Sequence, residues 1–126
     1  MKKVIATTSA PAAIGPYSQG IDGGSVVITS GQIPLDPATG AFAADDIAGQ
    51  TRQCLKNVGA VLAQAGLGME NIIKTTVFLK DMNDFAAMNE VYATFFPGEP
   101  PARSAVEVAR LPKDALVEIE AIAVRS

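Results

Sequence analysis

Apolar positions recur with two different periods along this chain, and the switches between them mark its elements. The runs "KKVIAT" (2–7) and "SVVITSGQIP" (25–34) are rich in β-branched residues and predict strands. Between them, "PAAIGPYSQG" (11–20) holds two prolines and two glycines, which predicts a loop or a broken strand. "PLDPATG" (34–40) reads as a turn. From Asp45 to Ala65 the period becomes helical: Ile47, Cys54, Leu55, Val58, Val61, Leu62 and Ala65 form a stripe, and Gly66 and Gly68 stop it. "NIIKTTVFLKD" (71–81) predicts a further strand. "NDFAAMNEVYATFF" (83–96) predicts a second helix with Asn83 or Asp84 as its N-cap and Phe85, Met88, Tyr92, Phe95 and Phe96 as its apolar positions. Pro97, Pro100 and Pro101 end it. Two closing strands, "RSAVEV" and "LVEIEAIAV", flank a turn-like "RLPKDA".

The predicted order is β-β-α-β-α-β-β with room for an extra early strand, an α+β class. Two helices cannot cover both faces of a sheet of five or six strands, so they are expected on one face. Side chains alternate along a strand. Val117, Ile119, Ala121 and Ala123 therefore share one face, and Glu118, Glu120, Ile122 and Val124 the other. Val26, Ile28 and Ser30 likewise oppose Val27 and Thr29. Both faces carry apolar residues, which predicts that the face without helices packs on other subunits. Paired as a hairpin with Ala109 opposite Leu116, the closing strands would set Glu107 opposite Glu118. A slip of one residue would separate them, and the sequence leaves the register open.

Composition narrows the function classes. The chain has 126 residues, enough for one domain (1–126) with a real core. Apolar residues make up 48% and charged residues 18%; this fits either buried subunit contacts or an alanine-rich core. The net charge is −3, with no cluster of cations, which argues against binding a phosphate backbone. There is no histidine, so a Ser-His-Asp or Cys-His nucleophile is excluded and a zinc site would need carboxylates alone. The single cysteine, Cys54, cannot form an intrachain disulfide, and its place on the helical stripe reads as a small buried hydrophobe. No apolar run reaches the length of a membrane span and no signal-peptide core opens the chain; a cytoplasmic protein is expected.

A few polar residues sit among apolar ones. Arg103 either grips a carboxylate with its planar fork or pairs with Glu107 or another glutamate in a structural ion pair. Glu118 and Glu120 share a strand face; one is an acid, base or water-orienting group with a pKa raised by burial, or both are solvated or paired with Arg103, Arg110 or Lys113. Asn89, close to the Phe85 and Tyr92 stripe, faces a ligand or bonds a nearby backbone group. Tyr17 and Ser30 are weaker signals, since a tyrosine in a Gly/Pro loop and a serine at a strand end usually serve structure.

The segments "IGPYSQG", "ITSGQIP", "KTTVFLKDMNDFAAMNEVY" and "PPARSAVEVARLPKDALVEIEAIAV" together resemble the RidA (YjgF-type) family, from near residue 4 to the C-terminus. The resemblance implies a fold like trimeric chorismate mutase: three subunits pack their sheets into a central barrel, helices lie outside, and three sites sit at subunit interfaces. It implies hydrolysis of enamines and imines such as 2-aminoacrylate and 2-aminocrotonate, with their tautomers 2-iminopropanoate and 2-iminobutanoate. Products are 2-oxo acids and ammonia, and no cofactor or metal is required. By position, Arg103 matches the family's carboxylate-binding arginine and Glu118 its water-orienting glutamate, with Glu120 then structural. Tyr17, Ser30, Gly31 and Asn89 match other pocket positions. Relatives carry cysteine two residues after the arginine, where this chain has Ala105. Imine hydrolysis needs no thiol nucleophile, and the backbone of that position remains able to bond a substrate. The loop "PGEPP" is also short for the family, which bears on the pocket rim. Two other classes share these residues: a trimeric binding protein for 2-oxo acids or a protein partner, and a ribonuclease, an activity proposed for family relatives. The acidic charge and missing histidine argue against the ribonuclease.

Overall fold

Three short strands open the chain: β1 (Lys3–Ile5), β2 (Gly20–Asp22) and β3 (Val26–Thr29), paired antiparallel in sequence order. They belong to a computed structural model that describes residues 1–125. Then follow α1 (Ile47–Gln64), β4 (Ile72–Leu79), α2 (Phe85–Thr94), β5 (Ala102–Glu107) and β6 (Val117–Val124). β2 is the extra early strand, and only its first residue, Gly20, lies in the Pro/Gly run. The strand expected over 25–34 stops at Thr29, because Gly31 and Pro34 break its ladder. Gln32 alone rejoins the sheet, exchanging backbone hydrogen bonds with Ile119 at 2.8 and 3.1 Å.

All six strands form one sheet in the order β1-β2-β3-β6-β4-β5. The expected hairpin of closing strands does not form. β4 lies between them, pairing parallel with β5 and antiparallel with β6. Parallel pairing needs a crossover, and α2 supplies it. Glu107 is in register with Leu79 and Glu118 with Phe78, so the two glutamates point to opposite faces. Glu107 instead accepts the Met82 N–H at 2.8 Å.

Local signals explain the helices. Asp46 caps α1, accepting from the Gly49 N–H at 3.1 Å. At its other end Gly66 turns left-handed (φ +79°), and the Leu67 N–H closes onto the Leu62 carbonyl at 2.9 Å. Asp84 holds the N-cap position of α2 without a side-chain bond; the Asp81 side chain takes the Asn83 N–H in the preceding turn instead.

Both helices cover one face, as two helices must. Val117, Ile119, Ala121 and Ala123 are at most 2% exposed and pack with Leu55, Val58, Leu62 and Met88. Cys54 lies in the same core. Among the described residues, no element covers the other face. Across it run Val4, Ile21, Ile28 and Ile122, aligned by strand register, with Val26 beside them. Val26, Ile28 and Ile122 are 41%, 43% and 38% exposed.

Candidate functional site

The predicted site residues gather in two groups. The first lies where β3 ends and β6 begins. Tyr17, Ser30, Gly31, Glu118 and Glu120, with Ile14, Ile33 and Pro112, line a cavity of about 410 Å³. Gly31 lies against Glu118: a Cβ there would come 2.6 Å from Glu118 Oε2, so a side chain at this position would displace that carboxyl. Ser30 joins strand to loop, its N–H donating to the Gln19 carbonyl at 2.8 Å and its hydroxyl to the Ser18 carbonyl at 2.5 Å. The Tyr17 hydroxyl accepts from the Ile14 N–H at 3.3 Å.

Glu118 is half-buried and makes no ion pair among the described residues. Burial, and then the charge of Glu120, raise its carboxyl above the ordinary 4.5. The pairings of Glu118 or Glu120 with Arg103, Arg110 or Lys113 do not form; Arg110 pairs with Asp114.

The second group lies on the helix-covered face of β5. Arg103 is in register with buried Thr75. Its Nη1 donates to Asn89 Oδ1 at 2.7 Å, so Asn89 meets a side chain rather than a backbone group, and the pairing of Arg103 with Glu107 is absent. Ala105 is half-buried in register with Val77. The Val108 N–H donates to the Leu79 carbonyl, towards β4. By alternation the backbone groups of Arg103 and Ala105 point the other way, along the unpaired edge of the sheet.

The two groups do not meet within one chain. Arg103 is two strands away from Glu118 and three residues along the register, roughly 14 Å at standard strand spacings. Their side chains also leave opposite faces of the sheet. A larger cavity, about 590 Å³, lies elsewhere, between Met69–Ile73 and Phe95–Ala102, and neither group lines it.

Several supporting residues escape sequence reasoning. The Gln19 amide is buried, accepting from the Thr7 N–H at 2.7 Å and donating to the Thr7 and Pro11 carbonyls at 3.0 and 2.7 Å. It fixes the loop that carries Tyr17. The buried Asn57 amide donates to the Ile33 and Leu35 carbonyls, both at 3.0 Å, and holds the segment after Gly31 on α1. Asn57 shows only as an amide beside an apolar helical stripe, and Gln19 between Ser18 and Gly20 gives no such signal; neither setting reveals the partner. Among the described residues no cluster of three or more metal-ligating side chains occurs, and no helix is long and apolar enough to cross a membrane.

The Endoribonuclease L-PSP family profile matches residues 7–125, and the chain belongs to this family, the RidA/YjgF group. It is 62% identical over 128 residues to the 2-iminobutanoate/2-iminopropanoate deaminase of Salmonella typhimurium, covering 99% of both chains. It is 59% identical to a RutC family protein of Pyrococcus horikoshii, with 98% of each covered. Among solved structures it resembles E. coli TdcF with bound serine at 57% identity and TM-score 0.95, spanning 98% of this chain and 99% of that one. The YjgF gene product of E. coli matches at 60% identity with the same TM-score and coverage.

Proposed function

We propose that the chain hydrolyses 2-iminopropanoate and 2-iminobutanoate, with their enamine tautomers, to 2-oxo acids and ammonia, as a homotrimer whose sites lie between subunits. The observation that carries this reading is the split site: an arginine fork without a carboxylate partner on one face, and a half-buried carboxyl with raised pKa on the other. An assembly that seats the β5 edge of one subunit against the Glu118 cavity of the next joins them. The uncovered apolar row supplies the contact surface. The deaminase relatives, matched over their whole length, support the activity, and the serine held by TdcF suits a site for a short α-amino or 2-oxo carboxylate.

In this reading Arg103 holds the substrate carboxylate through paired N–H donors, and the free Ala105 N–H lies on the same edge. That role uses backbone, so alanine serves where relatives carry cysteine. Tyr17, Ser30 and Gly31 frame the reacting carbon. Glu118 takes a proton from water as its oxygen adds to the C=N carbon, giving a carbinolamine. With the imine nitrogen entering protonated, the same carboxyl returns that proton to nitrogen. The C–N bond then breaks as the Glu118 carboxylate takes the hydroxyl proton and the oxygen forms the C=O of the 2-oxo acid, and that proton leaves with ammonia as ammonium. A carboxyl with a raised pKa can hold that proton between the two steps. Positioning carries much of the acceleration, because such imines already hydrolyse in water. The RNA cleavage in the family profile's name finds little support in a chain of net charge −3 without histidine.

Complementation tests the shared site. Arg103→Ala and Glu118→Gln proteins are each expected to lose nearly all keto-acid release when imine is generated in situ from serine by a dehydratase. Refolded together in equal amounts, they are expected to regain about a quarter of wild-type turnover, since random assembly leaves one site in four with both residues. Mixed trimers seen by native mass spectrometry but without activity would overturn the shared site.

A further inference from the structure

Phe85, Asn89 and Tyr92 stand at i, i+4 and i+7 on α2, one face of the helix, and that face meets β5. The Arg103 guanidinium carbon lies 5.4 Å from the Phe85 ring centroid and 4.8 Å from that of Tyr92. Tyr92 is itself fixed. Its hydroxyl shares a 2.6 Å hydrogen bond with the Thr75 hydroxyl, and its ring packs 4.8 Å from Phe96 at a 43° tilt. Thr75 is the register partner of Arg103, so the tyrosine is anchored beside the arginine it touches.

We infer that Phe85 and Tyr92 are positioning residues that hold the Arg103 guanidinium plane, presenting a fixed fork to the substrate carboxylate. This rests on the reading of Arg103 as the carboxylate clamp. The Asn89 bond fixes one nitrogen but leaves rotation about that bond free. Two ring faces restrict the plane, and their negative quadrupoles stabilise the cation. Asn89 uses one of five N–H donors, leaving more than the two that a bidentate carboxylate needs. The choice of partners is also informative. A glutamate would hold the arginine equally well but would occupy the fork and neutralise it. Two rings and an amide hold it while leaving charge and donors for the ligand.

The test separates positioning from packing. Phe85→Leu keeps most of the apolar bulk and removes the ring. Tyr92→Leu does the same, and Tyr92→Phe keeps the ring while losing the bond to Thr75. Phe85→Leu and Tyr92→Leu are expected to raise KM for the imine, and the calorimetric Kd for 2-oxobutanoate, about tenfold, with kcat within about twofold. Tyr92→Phe is expected to keep near wild-type Kd despite a lower Tm. A purely structural role would lower Tm in all three and leave Kd of the folded protein unchanged. Wild-type Kd in Phe85→Leu, with Arg103→Ala binding poorly, overturns the positioning role and leaves the clamp standing; should Tyr92→Leu fail to fold, the other two variants decide. Wild-type Kd in Arg103→Ala removes the clamp itself, and the inference with it.

Discussion

The two faces of the sheet are built from the same strands and similar residues, yet they stand in opposite conditions. On one, Val117, Ile119 and Ala123 are fully buried beneath α1 and α2. On the other, Ile28 and Ile122 pair across neighbouring strands with no element over them. A face meant for water would alternate towards polar residues. This one turns polar on β4, where Lys74 stands beside Ile122, and at its far end, where Glu118, Glu120, Thr76 and Ser104 follow the apolar row. In the proposed assembly the packed centre of the helix face serves folding and the apolar row of the open face association, leaving Arg103 at the β5 edge of the one and Glu118 at the acidic end of the other for chemistry.

The largest expected effect comes from placing one charge on each face. Ile119→Asp buries an unpaired carboxylate in the core and is expected to abolish folding. Ile122→Asp is expected to leave the fold intact by circular dichroism. In sedimentation its mass is expected to fall from about three times the 13.0 kDa chain to one. Turnover is expected to drop at least 100-fold with it, because in the proposed assembly each site takes residues from two subunits. An Ile122→Asp protein that stays trimeric and active would collapse the distinction between the faces.

Much of this contrast was legible in the sequence, since period-two alternation assigns each residue of a strand to a face without any knowledge of its neighbours. The faces of β3 and β6 follow from it, and the stripe of α1 with the burial of Cys54 follows from the helical period. Strand neighbours do not. Nothing local in "RSAVEV" or "LVEIEAIAV" says that β4 inserts between them, because sheet order is decided by crossovers and packing far along the chain. The separation of Glu107 from Glu118 was hidden for that reason. Family resemblance named Arg103 and Glu118, but only the register puts them on opposite faces. The rings beside Arg103 read as core from their helical spacing, which records burial and not what is buried against them.

A subtler difference between the faces is titratable. Glu118 on the open face is raised by burial and by Glu120. A carboxyl that holds its proton more tightly when folded costs stability on ionising. The wild-type protein therefore loses stability as pH rises from the ordinary 4.5 through the raised value. Glu118→Gln lacks that loss. Its Tm is expected to exceed the wild-type Tm at neutral pH, and the gap to close below pH 4.5. A gap that is constant across this range would show that Glu118 titrates normally. The acid limb of wild-type kcat/KM is expected above the same 4.5.

The smallest expected effect belongs to the helix face. Cys54 is fully buried, and its thiol donates to the Val117 carbonyl at 3.5 Å, one residue before Glu118. Burial first, and then the charge of Glu118, push its pKa well up, so it stays a neutral thiol. Its closeness in space to Glu118 thus gives it no chemistry, because the sheet lies between them. Cys54→Ala removes one buried atom and leaves a small void, at a cost of about 1 kcal/mol in chemical denaturation. Its kcat and KM are expected within about twofold of wild type, which would hold the core beneath α1 to a structural role. A folded Cys54→Ala trimer that has lost turnover would mean that the core beneath α1, and not only the Arg103 edge of the covered face, takes part in the reaction, and the division between core and site would fail where it is drawn most sharply.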